Sequence, residues 1–519
     1  MGIYLNPNNQ SFEEAIKSRI YIDKTELLKH TNSVLRTNEK FICVSRPRRF
    51  GKSMAANMLA AYYDRKSDSR EMFSNYKISK AASFEEHLNK YNVIRINMVD
   101  FLEESKDIEE MIRYIEEDII DEIKEEYETL ELPKRQKLYK VLNKIFDRYS
   151  IPFIFIIDEW DCVMRELRDN QEAQKKYLDF LRNLLKDKSY VALAYMTGIL
   201  PIKKYGQHSA LNMFTEISMT NAREYAEFTG FTESEVRALC EEYDMSFEET
   251  KKWYDGYNVK GVSIYNPRSV VMSMTGHDYD NYWTSTENYE ALEEYICRNE
   301  EGLRDTITEM LAGNKKKITV TTFSNDMVTF KSADDVLTLL VHLGYLTYDS
   351  STGEASIPNY EIYQQFADTL KNKDWTMVTK ALKKSDELLE ATLKGDAEKV
   401  AYLISESHNE NTSIIQYNNE NSLSCIISIA YYTARRDYIA HRELATGKGF
   451  ADIVFVPREN RNLPAIIIEL KKGHTAEEAI QQIKERDYIS KVSEYTKDIL
   501  LVGINYNEDK THSCVIERV

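Results

Sequence analysis

No stretch of 18 apolar residues occurs in the chain and no signal-peptide pattern opens it, so neither secretion nor membrane spanning is expected. The start, Met1-Gly2-Ile3-Tyr4-Leu5-Asn6, lacks the Ser or Thr of a myristoylation site. Cysteine is scarce. The six residues, at 43, 162, 240, 297, 425 and 514, lie far apart and form no metal-ligand pairs, which points to reduced, buried thiols and a cytoplasmic protein. Positive charge is in deficit: a formal net charge of -17 excludes a basic nucleic-acid coat. The deficit is uneven, because residues 411–519 hold 14 Lys/Arg against 15 Asp/Glu, a net of -1, which leaves -16 on residues 1–410. The C-terminal part could therefore approach a polyanion more easily than the rest. A chain of 519 residues has room for roughly two to four domains, each with its own core.

Near the N-terminus, Phe41-Ile42-Cys43-Val44 reads as a buried strand, Gly51-Lys52-Ser53 follows, and Met54 to Tyr63 has the composition of a helix. Strand, tight loop and helix form the setting of a phosphate-binding, Walker A loop. Backbone N–H groups of Arg49, Phe50, Gly51, Lys52 and Ser53 would face phosphates at the positive end of the helix. Lys52 would reach the β- and γ-phosphates and Ser53 would ligate Mg²⁺. One glycine of the pattern is missing, because Arg46 stands at its first position and begins the basic loop Arg46-Pro47-Arg48-Arg49. The loop reads as extra charge near a triphosphate, or as a solvated turn.

Two further apolar runs extend this reading. Phe153-Ile154-Phe155-Ile156-Ile157 suits a central parallel strand and ends in Asp158-Glu159, where open α/β sheets bind ligands. In a Walker B role Asp158 would hold Mg²⁺ through water, and Glu159 would orient or deprotonate the attacking water. Val191 to Met196 is another strand, ending in Thr197-Gly198, with Thr197 either sensing the γ-phosphate or serving as a turn hydroxyl. With strands at Val93–Asn97 and Phe214–Met219, the outline is a doubly wound α/β nucleotide-binding domain. Residues 101–132, with 14 Asp/Glu against three Lys/Arg, read as one long solvated helix.

The middle is helical with few strands. Thr232-Glu233-Ser234-Glu235 has the capping-box form. Trp253-Tyr254-Asp255-Gly256-Tyr257-Asn258 and Tyr265-Asn266-Pro267-Arg268-Ser269 are turn-rich segments that could dock a lid on the nucleotide, with packing the weightier role. Residues 332–358 read as helix then hairpin, the ending of a winged helix, and 376–410 as a connecting helix.

At the C-terminal end, Gly449-Phe450-Ala451-Asp452-Ile453-Val454-Phe455-Val456 and Ala465-Ile466-Ile467-Ile468-Glu469-Leu470-Lys471 read as two strands of a hairpin. Alternation puts Glu469 and Lys471 on one face, and the pairing would bring Asp452 beside Glu469. Two such carboxylates suit Mg²⁺ or Mn²⁺, with Lys471 polarising a water beside a scissile phosphate. Glu420, near the start of a helix over about 420–436, could complete the metal site. Gln482 and Tyr488 lie on a helix beyond the lysine. His441 and His474 flank the site as surface residues, since hard Mg²⁺ prefers oxygen. The bland alternative is a strand-end ion pair between Glu469 and Lys471.

Tyr21-Ile22-Asp23-Lys24-Thr25, Ser45-Arg46-Pro47-Arg48-Arg49-Phe50-Gly51-Lys52-Ser53, Ile157-Asp158-Glu159-Trp160-Asp161 and Thr197-Gly198-Ile199-Leu200, in this order, resemble the bacterial AAA-ATPase-like proteins that carry a C-terminal PD-(D/E)XK nuclease-type domain. In that family Arg at position 46 is usual. The D-x16-E-x-K spacing is similar to the nuclease core, and the resemblance implies Asp452 and Glu469 as metal ligands, Lys471 as catalytic lysine and Glu420 as the helix-borne acid. Leu423 and Ser424 stand where the family often has an aromatic residue and a histidine.

The expected architecture is α/β and multidomain: a P-loop NTPase with a doubly wound parallel sheet over 1–225, a helical, winged-helix-like middle over 226–400, and a PD-(D/E)XK nuclease-like α/β domain over 401–519. The expected function is ATP binding and hydrolysis with Mg²⁺, coupled to metal-dependent cleavage of phosphodiester bonds, with DNA as the expected partner and no membrane. A homo-oligomer is allowed. The alternative is a nucleotide-switched interaction protein whose C-terminal domain binds nucleic acid without cutting.

Overall fold

The computed structural model describes the chain apart from residues 1, 133–136, 203–210, 284–291, 293–294, 296–302, 312, 324–329, 331, 372–375, 412–426, 428–429, 432–433, 435–437, 447–448, 458–462, 487, 494–495 and 508–510. It folds as two compact units, Met1–Leu303 with Lys315–Gln364, and Arg304–Asn314 with Gln365–Val519.

The first unit is built on five parallel strands: β1 (Phe41–Ser45), β2 (Asn92–Asn97), β3 (Phe153–Asp158), β4 (Val191–Gly198) and β5 (Thr215–Ile217), in the order β2-β3-β4-β1-β5. Every residue of β1, β3 and β4 is buried, as strands covered on both faces must be. Their alternating side chains feed two cores, one around Phe155, Ile157 and Met196, the other around Ile42, Val44, Ile154 and Ile156. β4 lies between β1 and β3, so the strand order reverses beside β1 and opens a crevice at the carboxyl ends.

The acidic stretch differs from the expected single helix. Met98–Glu104 and Ile108–Glu126 are separate helices, because Asp107 turns to cap the second by accepting from Glu110 N. The second helix also buries Ile108, Met111, Ile115, Ile119 and Ile123, so only one face carries the solvated acids.

The middle of this unit holds two small sheets. β6 (Phe231–Thr232), β7 (Tyr257–Val259) and β8 (Val262–Tyr265) form one, in the order β6-β8-β7. β9 (Lys316–Lys317), β10 (Thr347–Asp349) and β11 (Glu354–Ser356) form the other, with the hairpin β10-β11 following the helix Ala333–Leu343. Thr232 and Glu235 make the reciprocal capping box that their spacing suggests.

In the second unit β12 (Tyr438–Thr446), β13 (Gly449–Pro457), β14 (Ala465–Lys472), β15 (Ile499–Tyr506) and β16 (His512–Arg518) follow one another across a mixed sheet. Only the β14–β15 pair is parallel, and the helix Ala476–Glu485 makes that crossover. A Cβ on Gly503 of β15 would lie 2.2 Å from Ala476 O, so glycine is what lets the helix sit this close. The stretch 376–410 is two helices, Thr376–Lys394 and Ala397–Asn411, broken at Gly395. Among the described residues, no helix is long and apolar enough to cross a membrane.

Candidate functional site

At the end of β1 the chain turns through Arg46–Gly51 into the helix Lys52–Tyr63, with Arg49 and Gly51 both at positive φ, 68° and 85°. Lys52 is buried, and its Nζ donates to the carbonyls of Arg46 and Pro47, 3.0 Å each, so the lysine cinches its own loop. Burial lowers its pKa, opposed by Glu159, Asp158 and Asp161. A cavity of about 1000 Å³ opens over this loop, lined by Arg48 to Ala55 with Glu159 and Arg165. Apolar residues including Phe12, Ile20, Phe228, Phe231 and Val271 line it as well. Its mixture of an apolar wall and a few convergent charges is that of a small-molecule site.

Arg46 does not add charge to this cavity. Its side chain is fully buried and runs the other way, Nε donating to Thr229 Oγ1 (3.1 Å) and Nη1 to Ser45 O (3.0 Å). Burial pushes its pKa down to about 10. This is how the loop tolerates a long residue in place of glycine: the side chain becomes a strut to the middle segment. Arg48 and Arg49 do line the cavity.

Asp158 ends β3, and its Oδ1 accepts from Glu159 N (3.1 Å) and from the hydroxyl of Thr197. Thr197 is wholly buried, is not part of the cavity lining, and fixes the orientation of the Asp158 carboxylate. Glu159 adopts φ 52°, a conformation costing about 1–3 kcal/mol in a non-glycine residue. Burial raises its pKa, opposed by Lys52 and Arg165. Arg165 Nη2 meets Glu159 Oε2 at 2.6 Å and Arg165 Nε meets Asp161 Oδ2 at 3.3 Å. Asp161 Oδ2 also accepts from Ile199 N (3.1 Å) and Leu200 N (2.8 Å), fastening the turn after β4 to the turn after β3. The motif Ile157 to Asp161 and the motif Thr197 to Leu200 are thus one hydrogen-bonded cluster.

The segment Tyr21 to Thr25 is a fastener of the same kind. Asp23 accepts from Thr25 N, Thr25 Oγ1 and Lys77 N, while Lys24 Nζ donates to both carboxylate oxygens of Glu235 and to Glu227 O. The middle grips the outside of the phosphate loop. Gly230 N donates to Phe50 O (2.9 Å), Phe50 meets Tyr257 edge-on at 5.1 Å, and Trp283 Nε1 donates to Arg48 O (3.2 Å). Gly344, at φ 92°, lets Pro47 pack against it: a Cβ there would lie 2.7 Å from Pro47 Cβ. Glu361, buried, accepts from Tyr282 N and Trp283 N at 2.8 Å each and from Ser269 Oγ at 2.9 Å, and burial pushes its pKa up to about 7.

In the second unit, Ile453 pairs with Ile468, so Asp452 and Glu469 are the next residues out on adjacent strands and share a face. Asp452 Oδ2 accepts from Leu470 N (2.8 Å). Glu469 is almost wholly buried. Burial and then the charge of Asp452 push its pKa up to about 7, opposed by Lys471 and Arg486. Lys471 Nζ lies 3.7 Å from Glu469 Oε1, and the Gln482 amide bonds both side chains. Glu469 Oε2 is buried with no hydrogen-bond partner among the described residues. An unpartnered carboxylate oxygen beside a second carboxylate, with oxygen donors only, fits a hard divalent cation. Ser53 and Asp158 likewise offer oxygen donors suited to Mg²⁺. Glu420 lies outside the described residues. His441 is exposed and His474 contacts Glu478. No group of three His, Cys, Asp or Glu side chains placed to hold a metal occurs among the described residues.

Residues 8–207 match the family described as Predicted AAA-ATPase, and residues 418–515 match the PD-(D/E)XK nuclease superfamily. The chain joins an AAA-ATPase-like domain to a PD-(D/E)XK nuclease superfamily domain. It is also 22% identical over 491 residues to a protein of Azotobacter chroococcum mcd 1 described as an uncharacterized protein in the vnfD 5' region, covering 90% of this chain and 89% of the relative. Both units of the AAA-ATPase-like, nuclease-superfamily chain therefore have a counterpart in that relative.

Sequence reasoning missed Asp161 as an anchor, and missed Arg165, Trp283 and Glu361 altogether. The i, i+4 spacing of Asp161 and Arg165 in the turn after Glu159 was the available signal. Trp283 and Glu361 carry none, being brought to the loop by tertiary structure alone.

Proposed function

We propose that the protein binds and hydrolyses ATP in the first unit and cleaves phosphodiester bonds, with DNA as substrate, in the second. The observation that carries this reading is the convergence, in each unit, of the polar and charged groups the reaction needs: Lys52, Ser53 and Glu159 along one cavity, and Asp452, Glu469 and Lys471 on one face of a sheet.

Lys52 would leave the Arg46 and Pro47 carbonyls for the β- and γ-phosphates, and Glu159 would hold the attacking water. Ser53 and Asp158 would hold Mg²⁺, which when bound offsets phosphate charge. In the second unit Asp452 and Glu469 would hold Mg²⁺ or Mn²⁺, a Lewis acid for the phosphodiester. Lys471 would orient the water there and balance charge at the scissile phosphate.

The second reading, a nucleotide-switched protein whose nuclease-like unit binds nucleic acid without cutting, is favoured by Gln482. Its amide occupies both Glu469 and Lys471, the groups that cleavage requires. ATPase and plasmid-cleavage assays side by side on wild type, Lys52→Ala and Glu469→Ala separate the two. Cleavage with Mg²⁺ or Mn²⁺ that disappears in Glu469→Ala supports the first. Nucleotide hydrolysis with DNA binding but no cleavage under either metal supports the second.

A further inference from the structure

Several cationic side chains line the nucleotide cavity, among them Lys24, Arg48, Arg49, Lys52, Arg165 and Arg268. Lys24 is committed to Glu235 and Glu227 O as a fastener. Arg165 is placed differently. Its guanidinium lies on Glu159, the side chain assigned to the attacking water, and the two line the same cavity as Lys52 and Ser53.

The pairing is built to be exchanged. Asp161, pinned by two backbone N–H groups, lies 3.3 Å from Arg165 Nε as a second ion-pair partner. The Nη2 end of Arg165 reaches Glu159, and Glu166 lies 3.9 Å from Nη1, so three carboxylates surround one guanidinium. Letting go of Glu159 leaves Arg165 still paired. Conversely, while Arg165 holds Oε2, the carboxylate is turned toward the guanidinium and its charge is partly spent there, which weakens it as an acceptor for a water proton. A planar guanidinium binds phosphate oxygens in pairs at least as well as it binds a carboxylate.

We propose that Arg165 trades Glu159 for the terminal phosphate of bound nucleoside triphosphate, so that binding of the triphosphate both frees Glu159 for the water and places a cation on the transferring group. This rests on the ATPase reading of the cavity. In the reaction, water oxygen bonds to the γ-phosphorus and the bond from that phosphorus to the β,γ-bridging oxygen breaks. The electron pair leaves with ADP, the water proton passes to Glu159, and Arg165 stays on the γ-oxygens as their charge redistributes.

The test compares wild type, Arg165→Ala and Arg165→Lys in three measurements: equilibrium binding of a fluorescent ATP derivative, kcat and KM for ATP, and retention of ADP with aluminium fluoride. Arg165→Ala is expected to bind the fluorescent nucleotide within about threefold of wild type, to lose kcat by ~10²-fold or more, and to fail to retain ADP with aluminium fluoride. Arg165→Lys keeps the charge but not the two-pronged contact, and is expected to fall about tenfold in kcat with KM little changed. A kcat within threefold of wild type in either variant overturns the proposal, as does a rise in KM at unchanged kcat. If Arg165→Ala does not fold, Arg165→Lys decides the matter alone. Wild type that neither binds nor hydrolyses ATP removes the ATPase reading itself, whereas hydrolysis unaffected by Arg165→Ala removes only the exchange.

Discussion

The two sites are assembled in opposite ways. The cavity over the Arg46–Gly51 loop draws its walls from residues spread between Phe12 and Met272, and the loop is held from outside by Tyr257, Trp283 and Gly344. The carboxylate site draws on Asp452, Glu469, Lys471 and Gln482, two neighbouring strands and the next helix. One is a roomy, cation-rich crevice closed by distant parts of the chain. The other is a close-set cluster in which burial and the charge of Asp452 raise the pKa of Glu469 to about 7. Long-range assembly gives the first site many handles by which its shape can be changed. Short-range assembly gives the second few.

The sharpest way to break this comparison is to disable each site separately. Glu469→Ala is expected to lower plasmid cleavage by ~10³-fold while ATP hydrolysis stays within twofold of wild type. Lys52→Ala should abolish hydrolysis, and parallel loss of cleavage would show that the second site depends on the first. The next largest effect is expected at Asp161. Asp161→Ala takes one of three carboxylates from Arg165 and leaves the N–H groups of Ile199 and Leu200 without their shared acceptor, which should cost about 2–3 kcal/mol. Calorimetry should show the loss in the first unit's transition only, and an unshifted Tm would count against the cluster.

Glu361 sharpens the contrast through pH. Its folded pKa of about 7 lies above the ordinary value of 4.5, so folding takes up a proton. Stability from this group is complete below about pH 4.5 and is lost as pH rises through 7, by at most about 3 kcal/mol. In Glu361→Gln the Tm should vary less between pH 5 and 8 than in wild type, and parallel curves would contradict the assignment. The smallest effect is expected at the close approach in the second unit. Gly503→Val forces the helix Ala476–Glu485 off β15 and should cost about 1–3 kcal/mol there, with hydrolysis of ATP unchanged.

How far the chain's letters disclosed this arrangement follows from the same contrast. The buried strands were legible because a run such as Phe153 to Ile157 has few other ways to be satisfied. The pairing of Asp452 with Glu469 was legible because alternation along two adjoining strands fixes which side chains share a face. Arg46 was misread because charge beside a phosphate loop suggests the ligand, whereas tertiary packing sent it to Thr229. The place of Thr197 at a strand end likewise does not reveal that its hydroxyl donates to Asp158. Asp23 and Lys24 had no role in the sequence because their partners, Lys77 and Glu235, are up to 211 residues away. The acidic stretch split because one aspartate prefers to cap a helix over continuing it.

Trp283 hangs from the carbonyl of Arg48, and its own amide rests on Glu361. Glu361 stands in the opening turn of the helix Tyr360–Lys371, which starts in the first unit and finishes in the second. Two hydrogen bonds therefore tie the carbonyl of Arg48 to the first turn of that helix, so the loop and the helix start share one buried tryptophan as their common support.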